Sequence, residues 1–356
     1  MYEPFQKTKR GLRGGAVFCL SLLFCATALL PMADAVDLNA APNASAVKTL
    51  VPVGHTVGIK LFSRGVVVVK LSDGPTPAKS AGVQTGDVLL KCNGANIAST
   101  EQFQSLLQSG GGETAHLQLR RGSTGMTLAV SPAQNEAGDW NIGAWIRDSM
   151  AGIGTMTFYD PASGVFGALG HGITDCDTAI LMPFSSGSIL PSTVKAVKRG
   201  EAGEAGELRG DFDLSGDLGN LYANTDSGIF GTLAASAVPG DAQQALPVAD
   251  SAEVRPGRAV IRSNVEGTAV EEYDVEILKV LPHATDGRDL LISVTDPALL
   301  TATGGIVQGM SGSPILQNGK FVGAVTHVLL NDPTKGYGIL IENMLEDANL
   351  QHQPVA

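Results

Sequence analysis

The chain has little cysteine, few aromatic side chains and few charges for its length. Of 356 residues, four are cysteines, 5% are aromatic and 17% are charged. Cys19 and Cys25 lie in an apolar N-terminal stretch, which leaves Cys92 and Cys176 for the rest of the chain. One pair so far apart in sequence excludes a fold built on disulfides, and we expect both thiols to be free and buried.

Basic residues are scarce as well. The sequence has 24 Lys and Arg against 35 Asp and Glu, a formal net charge of −11. Without the first 35 residues the balance is 20 to 33, a net charge of −13. This excess of negative charge argues against nucleic acid or an anionic membrane surface as a partner. No cluster has metal-ligand spacing and no loop has the pattern that cradles phosphate, so the sequence implies no cofactor and no metal site.

Hydrophobic residues and glycine are abundant instead. Hydrophobic side chains make up 44% of the chain, and there are 44 glycines. This length and composition suit two folded domains rather than a disordered chain. From about residue 132, short apolar runs such as 228–233 and 321–330 alternate with Gly, Pro, Asp and Ser. This spacing, with little helical periodicity, predicts a mainly β fold, either a barrel or a sandwich.

The first 35 residues have the features of an export signal or a membrane anchor. An uncharged stretch over residues 14–33 is long enough to span a bilayer, and residues 33–35 form a small-x-small cleavage site. Cleavage and retention both remain open, and in either case the rest of the chain is delivered outside the cytoplasm. Residues 36–54 are predicted to be a linker. The basic residues ahead of the uncharged stretch are Lys7, Lys9, Arg10 and Arg13.

Residues 55–131 are predicted to form a compact unit with a peptide-binding groove. Short strands, a tight Asn93-Gly94 turn and a helix over residues 100–109 follow in an order that resembles a PDZ domain. Val57, Gly58 and Ile59 match the loop whose backbone amides hold the C-terminus of a peptide. The resemblance implies binding by strand addition between the Ile59 strand and the helix. The alternative is that the unit serves only as a spacer.

The turn Gly309-Met310-Ser311-Gly312-Ser313-Pro314 is the strongest catalytic signal. It exposes the Ser311 hydroxyl between small residues, as a nucleophilic serine requires. The turn resembles the G-D-S-G-G-P turn of chymotrypsin-like peptidases, and by that analogy the amides of Gly309 and Ser311 form the oxyanion hole. Ser313 is a less favoured nucleophile because Pro314 restricts its backbone. Met310 replaces the acidic residue that trypsin-like zymogens use for activation, so activation must differ here.

His171 is the best candidate for the general base. It is one of six histidines, and the glycines on both sides leave its ring accessible. His327 is the main alternative, but its place after the strand that follows the nucleophile suits a role in shaping the substrate cleft. His283 directly follows a proline and is interpreted as a loop residue.

A carboxylate should orient the base and stabilise the imidazolium. Asp296 ends an apolar strand fifteen positions before Ser311, but a turn cap ahead of Pro297 explains it equally well. Three other carboxylates remain as alternatives, two of them so near His171 that turn-capping is the simpler explanation. A thiol peptidase based on Cys176 is disfavoured, because that residue lies in a polar turn only five positions from His171. The three alternative carboxylates are Asp175, Asp177 and Asp213.

The sequence as a whole resembles the stage IV sporulation protein B peptidases of spore-forming bacteria. The resemblance covers most of residues 51–345 and implies a membrane signal, a PDZ domain and a chymotrypsin-like β-barrel serine peptidase domain over residues 132–356. It assigns the nucleophile to Ser311, the base to His171 and the acid to Asp296. The matching stretches are 145–148, 156–159, 167–173, 224–231, 303–314 and 323–328.

This resemblance implies a serine endopeptidase that acts outside the cytoplasmic membrane, in the intermembrane space of the developing spore. It would cleave its own N-terminal segment and then a membrane-bound regulator in sporulation signalling. Its partners would be protein substrates, a peptide ligand of the PDZ domain and, if residues 14–33 are retained, the membrane. The alternative is a non-catalytic PDZ adaptor whose peptidase domain is degenerate.

Overall fold

The computed structural model describes residues 48–214, 216–237, 244–281, 284 and 287–351. The predicted signal or anchor (1–35), the linker as far as residue 47, and His283 lie outside the described residues. Strands dominate, which confirms the mainly β fold. Within the described part of the chain, none of the helices combines the length and apolarity needed to cross a membrane.

The strands and helices follow one another in three groups along the chain. The first group is β1 (Thr49–Pro52), β2 (Thr56–Leu71), α1 (Pro77–Ser80), β3 (Val88–Cys92), β4 (Ala95–Asn96), α2 (Thr100–Ser109), β5 (Ala115–Arg121), β6 (Thr124–Val130), β7 (Ala133–Gln134) and β8 (Trp140–Asn141). The second is β9 (Ala144–Tyr159), β10 (Val165–Ala168), β11 (Phe184–Lys198), β12 (Glu207–Phe212), β13 (Gly219–Thr225), β14 (Gly228–Leu233) and β15 (Leu246–Pro247). The third is β16 (Gly257–Glu266), β17 (Ala269–Val280), β18 (Leu290–Val294), α3 (Pro297–Thr303), β19 (Pro314–Gln317), β20 (Lys320–Val328), β21 (Lys335–Leu340) and α4 (Ile341–Gln351).

Six antiparallel strands close into a first barrel. They pair in the order β2, β9, β10, β14, β13 and β11, and β11 returns to β2. The barrel is filled by apolar side chains from its strands, among them Ile59, Phe166, Ile189 and Ile229, all with little or no exposed surface. Closure leaves few free strand edges, so the barrel limits edge-to-edge association.

Six further strands close into a second barrel, in the order β16, β17, β18, β21, β20 and β19. Strand β17 shows why this sequence forms such a sheet. Tyr273, Val275 and Ile277 are buried, while Asp274 and Glu276 between them are exposed. This period of two matches the alternation of side chains along a strand, so one face of β17 enters the barrel core.

A separate cluster of apolar side chains joins the two barrels. Phe158 and Phe230 from the first barrel pack with Phe321 and Ala324 from the second, and α4 adds the fully buried Met344. Burial of side chains of this size contributes about 1.5–3 kcal/mol each. The cluster therefore fixes the position of one barrel against the other, and with it any site built from both.

Residues 64–142, the PDZ unit, are inserted between two strands of the first barrel. Strand β2 leaves the barrel and continues into the PDZ unit, and β9 returns from it. The unit has its own apolar core, which includes Val66, Leu89, Phe103 and Leu117. Long strands shared between the two parts couple their positions directly.

The structure overturns the predicted peptide-binding loop at Val57, Gly58 and Ile59. All three residues lie in the part of β2 that belongs to the first barrel. Their backbones pair with β9 on one side and with β11 on the other. A strand with both edges paired cannot accept a peptide by strand addition. The local pattern of small and branched residues suits both a PDZ loop and a barrel strand, and long-range pairing decides between them.

The boundaries expected from sequence also differ from the fold. The predicted linker (36–54) contains strand β1, which pairs with β9 and β15. The unit expected over residues 55–131 begins later, because the first half of β2 belongs to the barrel. It also ends later, because Ile142 is part of the PDZ core. The peptidase part is therefore discontinuous in sequence.

Candidate active site

A cleft of about 430 Å³ lies between the two barrels. It brings together Ser311, Gly309 and His171 from the predicted site, and also His327. Asp296 is not among the residues that line it. The first barrel contributes the His171 side of the cleft, and the second contributes the serine turn and the end of β20. Two barrels thus supply the two reactive side chains.

The serine turn adopts a backbone conformation that requires glycine at two positions. Gly309 and Gly312 both have φ +97, in the left-handed region that favours glycine. A Cβ added at Gly312 would collide with the carbonyl oxygen of Thr155. The Ser311 side chain between them is half-buried at the cleft wall. The glycines thus let the turn approach β9 closely while the serine faces the cleft.

The turn is held from both barrels by hydrogen bonds. From the first barrel, the Thr155 hydroxyl donates to the Gly309 carbonyl at 2.8 Å and its amide donates to the Ser311 carbonyl at 3.0 Å. From the second barrel, the Gly312 amide donates to the Val325 carbonyl at 2.8 Å. Sequence reasoning missed Thr155, whose only signal is a polar residue in an apolar strand.

Two amides of the turn are available to a ligand. The amides of Met310, Gly312 and Ser313 all donate to backbone carbonyls. Those of Gly309 and Ser311 donate to no group within the described residues. Two unused donors one residue apart, on either side of Met310, form the arrangement that stabilises an oxyanion in acyl transfer.

Ser313 and Met310 have structural roles. Ser313 is fully buried, and its hydroxyl donates to the hydroxyl of Ser263 at 3.1 Å. A substrate in the cleft cannot reach it, which favours Ser311 as the nucleophile. Met310 is fully buried in the core of the second barrel, so this position contributes packing and has no access to an ammonium group.

His171 follows β10 through a turn in which Leu169 and Gly170 both have positive φ. Its Nδ1 lies 2.9 Å from the carbonyl oxygen of Gly172. A carbonyl can only accept, so in the neutral ring the proton is on Nδ1 and Nε2 carries the free lone pair. Burial of the ring lowers the pKa of His171, and the bond to Gly172 opposes this only in part.

His327 lies beside His171 in the same cleft. The two ring centroids are 5.2 Å apart and the ring planes are tilted by 39°. His327 is carried by β20, opposite Tyr337 of β21, so it belongs to the second barrel. Its position agrees with a cleft-shaping side chain.

Asp296 does not lie beside His171, contrary to the sequence prediction. Its carboxylate is the N-cap of α3 and accepts from the amides of Ala298 at 2.8 Å and Leu299 at 3.0 Å. The first amides of a helix have no partner within the helix, so they need such an acceptor. In the part of the chain that the structure describes, no carboxylate forms a hydrogen bond with His171.

The carboxylates nearest to His171 in sequence are also used locally. Asp175 is buried and accepts from the amide and the hydroxyl of Thr178, both at 2.9 Å. Burial alone would raise the pKa of Asp175, but the bonds from Thr178 and Arg147 outweigh it and the pKa is lowered. Arg147 also pairs with the exposed Asp177 at 2.9 Å. Arg147 therefore supplies the positive charge to this pair of carboxylates.

Comparison with known proteins matches two parts of the chain. Residues 138–345 match the family model described as SpoIVB peptidase S55, and residues 74–121 match a model described as a PDZ domain. A protein of Clostridium perfringens, CPE1693, whose name assigns it provisionally to the zinc metalloproteases, is 34% identical over 68 residues. That match covers 19% of this chain and 20% of the relative, so the chain spans about a fifth of the curated relative's length.

Two solved structures show a distant likeness. The active form of the Rv3671c protease of Mycobacterium tuberculosis has a TM-score of 0.32 and 14% identity, covering 58% of this chain and 78% of that one. An inactive serine-to-alanine mutant of Rv3671c has a TM-score of 0.31 and 14% identity, covering 57% and 84%. At these scores the likeness supports no argument about function.

Proposed function

The chain belongs to the SpoIVB peptidase S55 family, and on that basis we propose that it is a serine endopeptidase that uses Ser311 as nucleophile and His171 as general base. The observation that carries the proposal is the cleft that contains both side chains and the two unused amides of the serine turn. Each barrel contributes one reactive side chain, as in the chymotrypsin-like architecture expected from the sequence.

The proposed reaction is acyl transfer in two steps. His171 Nε2 takes the proton from Ser311 Oγ as the oxygen attacks the carbonyl carbon of a peptide bond. The oxyanion accepts hydrogen bonds from the amides of Gly309 and Ser311. His171 then gives the proton to the leaving amine as the C–N bond breaks. A water, deprotonated by the same imidazole, releases the acyl group from Ser311.

The Gly172 carbonyl orients the base in this proposal. Its 2.9 Å contact with Nδ1 holds the proton on that nitrogen and directs Nε2 away from the backbone. A carboxylate would also stabilise the imidazolium by its charge, whereas a carbonyl offers only a dipole. We therefore assign Asp296 to the α3 cap, in place of the catalytic acid that the sequence suggested.

The biological substrates are proposed from the family. The enzyme would cleave its own N-terminal segment and then a membrane-bound regulator of sporulation, outside the cytoplasmic membrane. The support is the family's description and the sequence resemblance. A PDZ adaptor without activity is the competing function, and the free serine hydroxyl and unused amides favour the enzyme.

One experiment tests the proposed activity. Purified residues 36–356 should process themselves near the N-terminus, as N-terminal sequencing would show. Ser311→Ala should abolish this processing, because the nucleophile is lost. Ser313→Ala is the matched control and should keep it, because that hydroxyl is buried away from the cleft. Processing that is unchanged in Ser311→Ala would refute the serine peptidase.

A further inference from the structure

The first residues of β9 lie inside the PDZ unit, between β2 and α2. Ala144, Trp145 and Ile146 pair antiparallel with Leu71, Lys70 and Val68 of β2, and Arg147 extends the pairing to Val67. On its other edge the same part of β2 pairs with β3. Strand β2 therefore has no free edge in this region.

The opposite side of this segment contacts helix α2. The Asp148 carboxylate accepts from the Thr100 amide at 2.8 Å and from the Thr100 hydroxyl at 3.1 Å. These are the first groups of α2, where an anion is favoured by the unpaired amides and the helix dipole. Ala144 and Ile146 pack against the apolar core of the PDZ unit.

Just before this segment, the chain is also tied to the second half of α2. The Gln108 side chain donates to the Trp140 carbonyl at 2.8 Å and accepts from the Trp140 amide at 3.0 Å. Gln104 donates to the same carbonyl at 3.0 Å. The helix thus contacts the returning chain at both of its ends.

An extended chain between a strand and a helix, paired antiparallel with the strand, is the way that a PDZ domain binds a peptide. We propose that residues 144–148 are an internal ligand of the PDZ unit and that an external peptide binds only by displacing them. The fitting competitor is an extended peptide with an apolar residue two positions before a carboxylate. Ile146 and Asp148 define this spacing.

The internal ligand is part of a strand that reaches the active site. Strand β9 continues from the PDZ groove to Thr155, which holds the serine turn. Displacement of residues 144–148 would free the start of this strand while its end remains in the first barrel. A competing peptide therefore acts on the element that positions Ser311. This last step rests on the proposed peptidase function, whereas the occupied groove does not.

Peptide binding to the full chain tests the occupied groove. The probe is a fluorescein-labelled peptide with the sequence of residues 143–149, and its binding is followed by anisotropy in the Ser311→Ala background, which removes any cleavage. In this background Asp148→Ala should bind the peptide at least tenfold more tightly, because the internal ligand loses its bonds to Thr100. A probe whose own aspartate is replaced by alanine should bind that variant at least tenfold more weakly.

A reversible lock controls for folding. Lys70 and Trp145 are opposed across the strand pair, and both side chains are exposed. With Cys176→Ser to remove the exposed thiol, Lys70→Cys and Trp145→Cys can be compared in one protein, oxidised and reduced. We expect at least tenfold weaker probe binding when oxidised, and recovery on reduction. Equal binding in both forms, no gain in Asp148→Ala, or no binding to any variant would each overturn the internal ligand.

Discussion

Two histidines share the cleft, but only one of them has the bonding of a general base. His171 has a carbonyl acceptor that fixes its proton on Nδ1. The tilted ring of His327, 5.2 Å away, is suited to contact substrate and to keep water from the base. At the scale of single residues, the chemistry thus depends on one backbone carbonyl, two unused amides and one hydroxyl.

The lowered pKa of His171 gives a prediction for the pH profile. Burial lowers the pKa below 6.5, the usual value for histidine, so the imidazole stays neutral, and able to accept a proton, to lower pH than an exposed histidine. The acid limb of kcat/KM should therefore have its midpoint below pH 6.5. Steady-state rates between pH 4.5 and 8 measure this. A midpoint at or above 6.5 would contradict the buried base.

Thr155 is predicted to act on the rate through the serine turn. Thr155→Val removes the hydroxyl that bonds the Gly309 carbonyl and keeps the side-chain volume. A hydrogen bond of this kind contributes about 0.5–1.5 kcal/mol, so kcat should fall by up to about tenfold, and Thr155→Ser should restore it. KM should change little, because Thr155 does not line the cleft.

Thr157→Val is the matched control for Thr155. Thr157 is equally buried on the same strand, and its hydroxyl has no hydrogen-bond partner among the described residues. Its replacement should leave kcat unchanged and should not lower the melting temperature. A similar loss of rate in both variants would show that Thr155 acts through general packing of β9.

At the scale of elements, helix α3 connects β18 to the segment that leads into the serine turn. Asp296 caps its N-terminus, and Gly304 ends it with φ +76. The sequence places an aspartate where both a catalytic acid and a cap are reasonable. The bonds to Ala298 and Leu299 show that the carboxylate is used by the helix.

Asp296 variants separate a cap from a catalytic acid. Asn caps helices about as well as Asp, so Asp296→Asn should keep both stability and kcat/KM within about threefold. Asp296→Ala should lower the free energy of unfolding by about 1 kcal/mol, because two amides lose their acceptor. Urea unfolding and steady-state kinetics measure the two effects. A fall in rate of about 10⁴-fold in Asp296→Asn, with the fold intact, would restore Asp296 as the catalytic acid.

At the scale of the whole molecule, the cleft exists because the two barrels are packed together. Its walls carry apolar side chains from both, including Ile153 and Leu169 from the first and Ile306, Val307 and Val328 from the second. Apart from the two histidines, no ionisable side chain is among the residues that line it. The cleft therefore offers no ion pair to a charged substrate side chain.

We predict that the enzyme cleaves next to apolar residues. An apolar side chain buried in the cleft contributes about 1.5–3 kcal/mol, so peptides with Leu or Val beside the scissile bond should have kcat/KM at least tenfold higher than those with Lys or Asp. A series of quenched fluorescent peptides measures this. Val328→Glu should shift the preference toward Lys. A preference of the unmodified enzyme for Lys or Arg would refute the apolar cleft.

The amino-acid sequence determined the strands, the PDZ resemblance and the main reactive residues. Period-two burial in β17 and the glycines of the serine turn are local patterns, and local patterns are readable without a fold. His171 was also recognisable, because glycines flank it. The family resemblance is confirmed by the match over residues 138–345.

Tertiary structure decided which backbone edges and which side chains are already in use. Residues 57–59 have the pattern of a PDZ loop, yet both of their edges are paired within the first barrel. Asp296 has the place of a catalytic acid, yet helix amides take its oxygens. Thr155 and residues 144–148 gain their roles from partners tens to hundreds of positions away. Hydrogen-bonding capacity is spent once, and only the folded chain shows where.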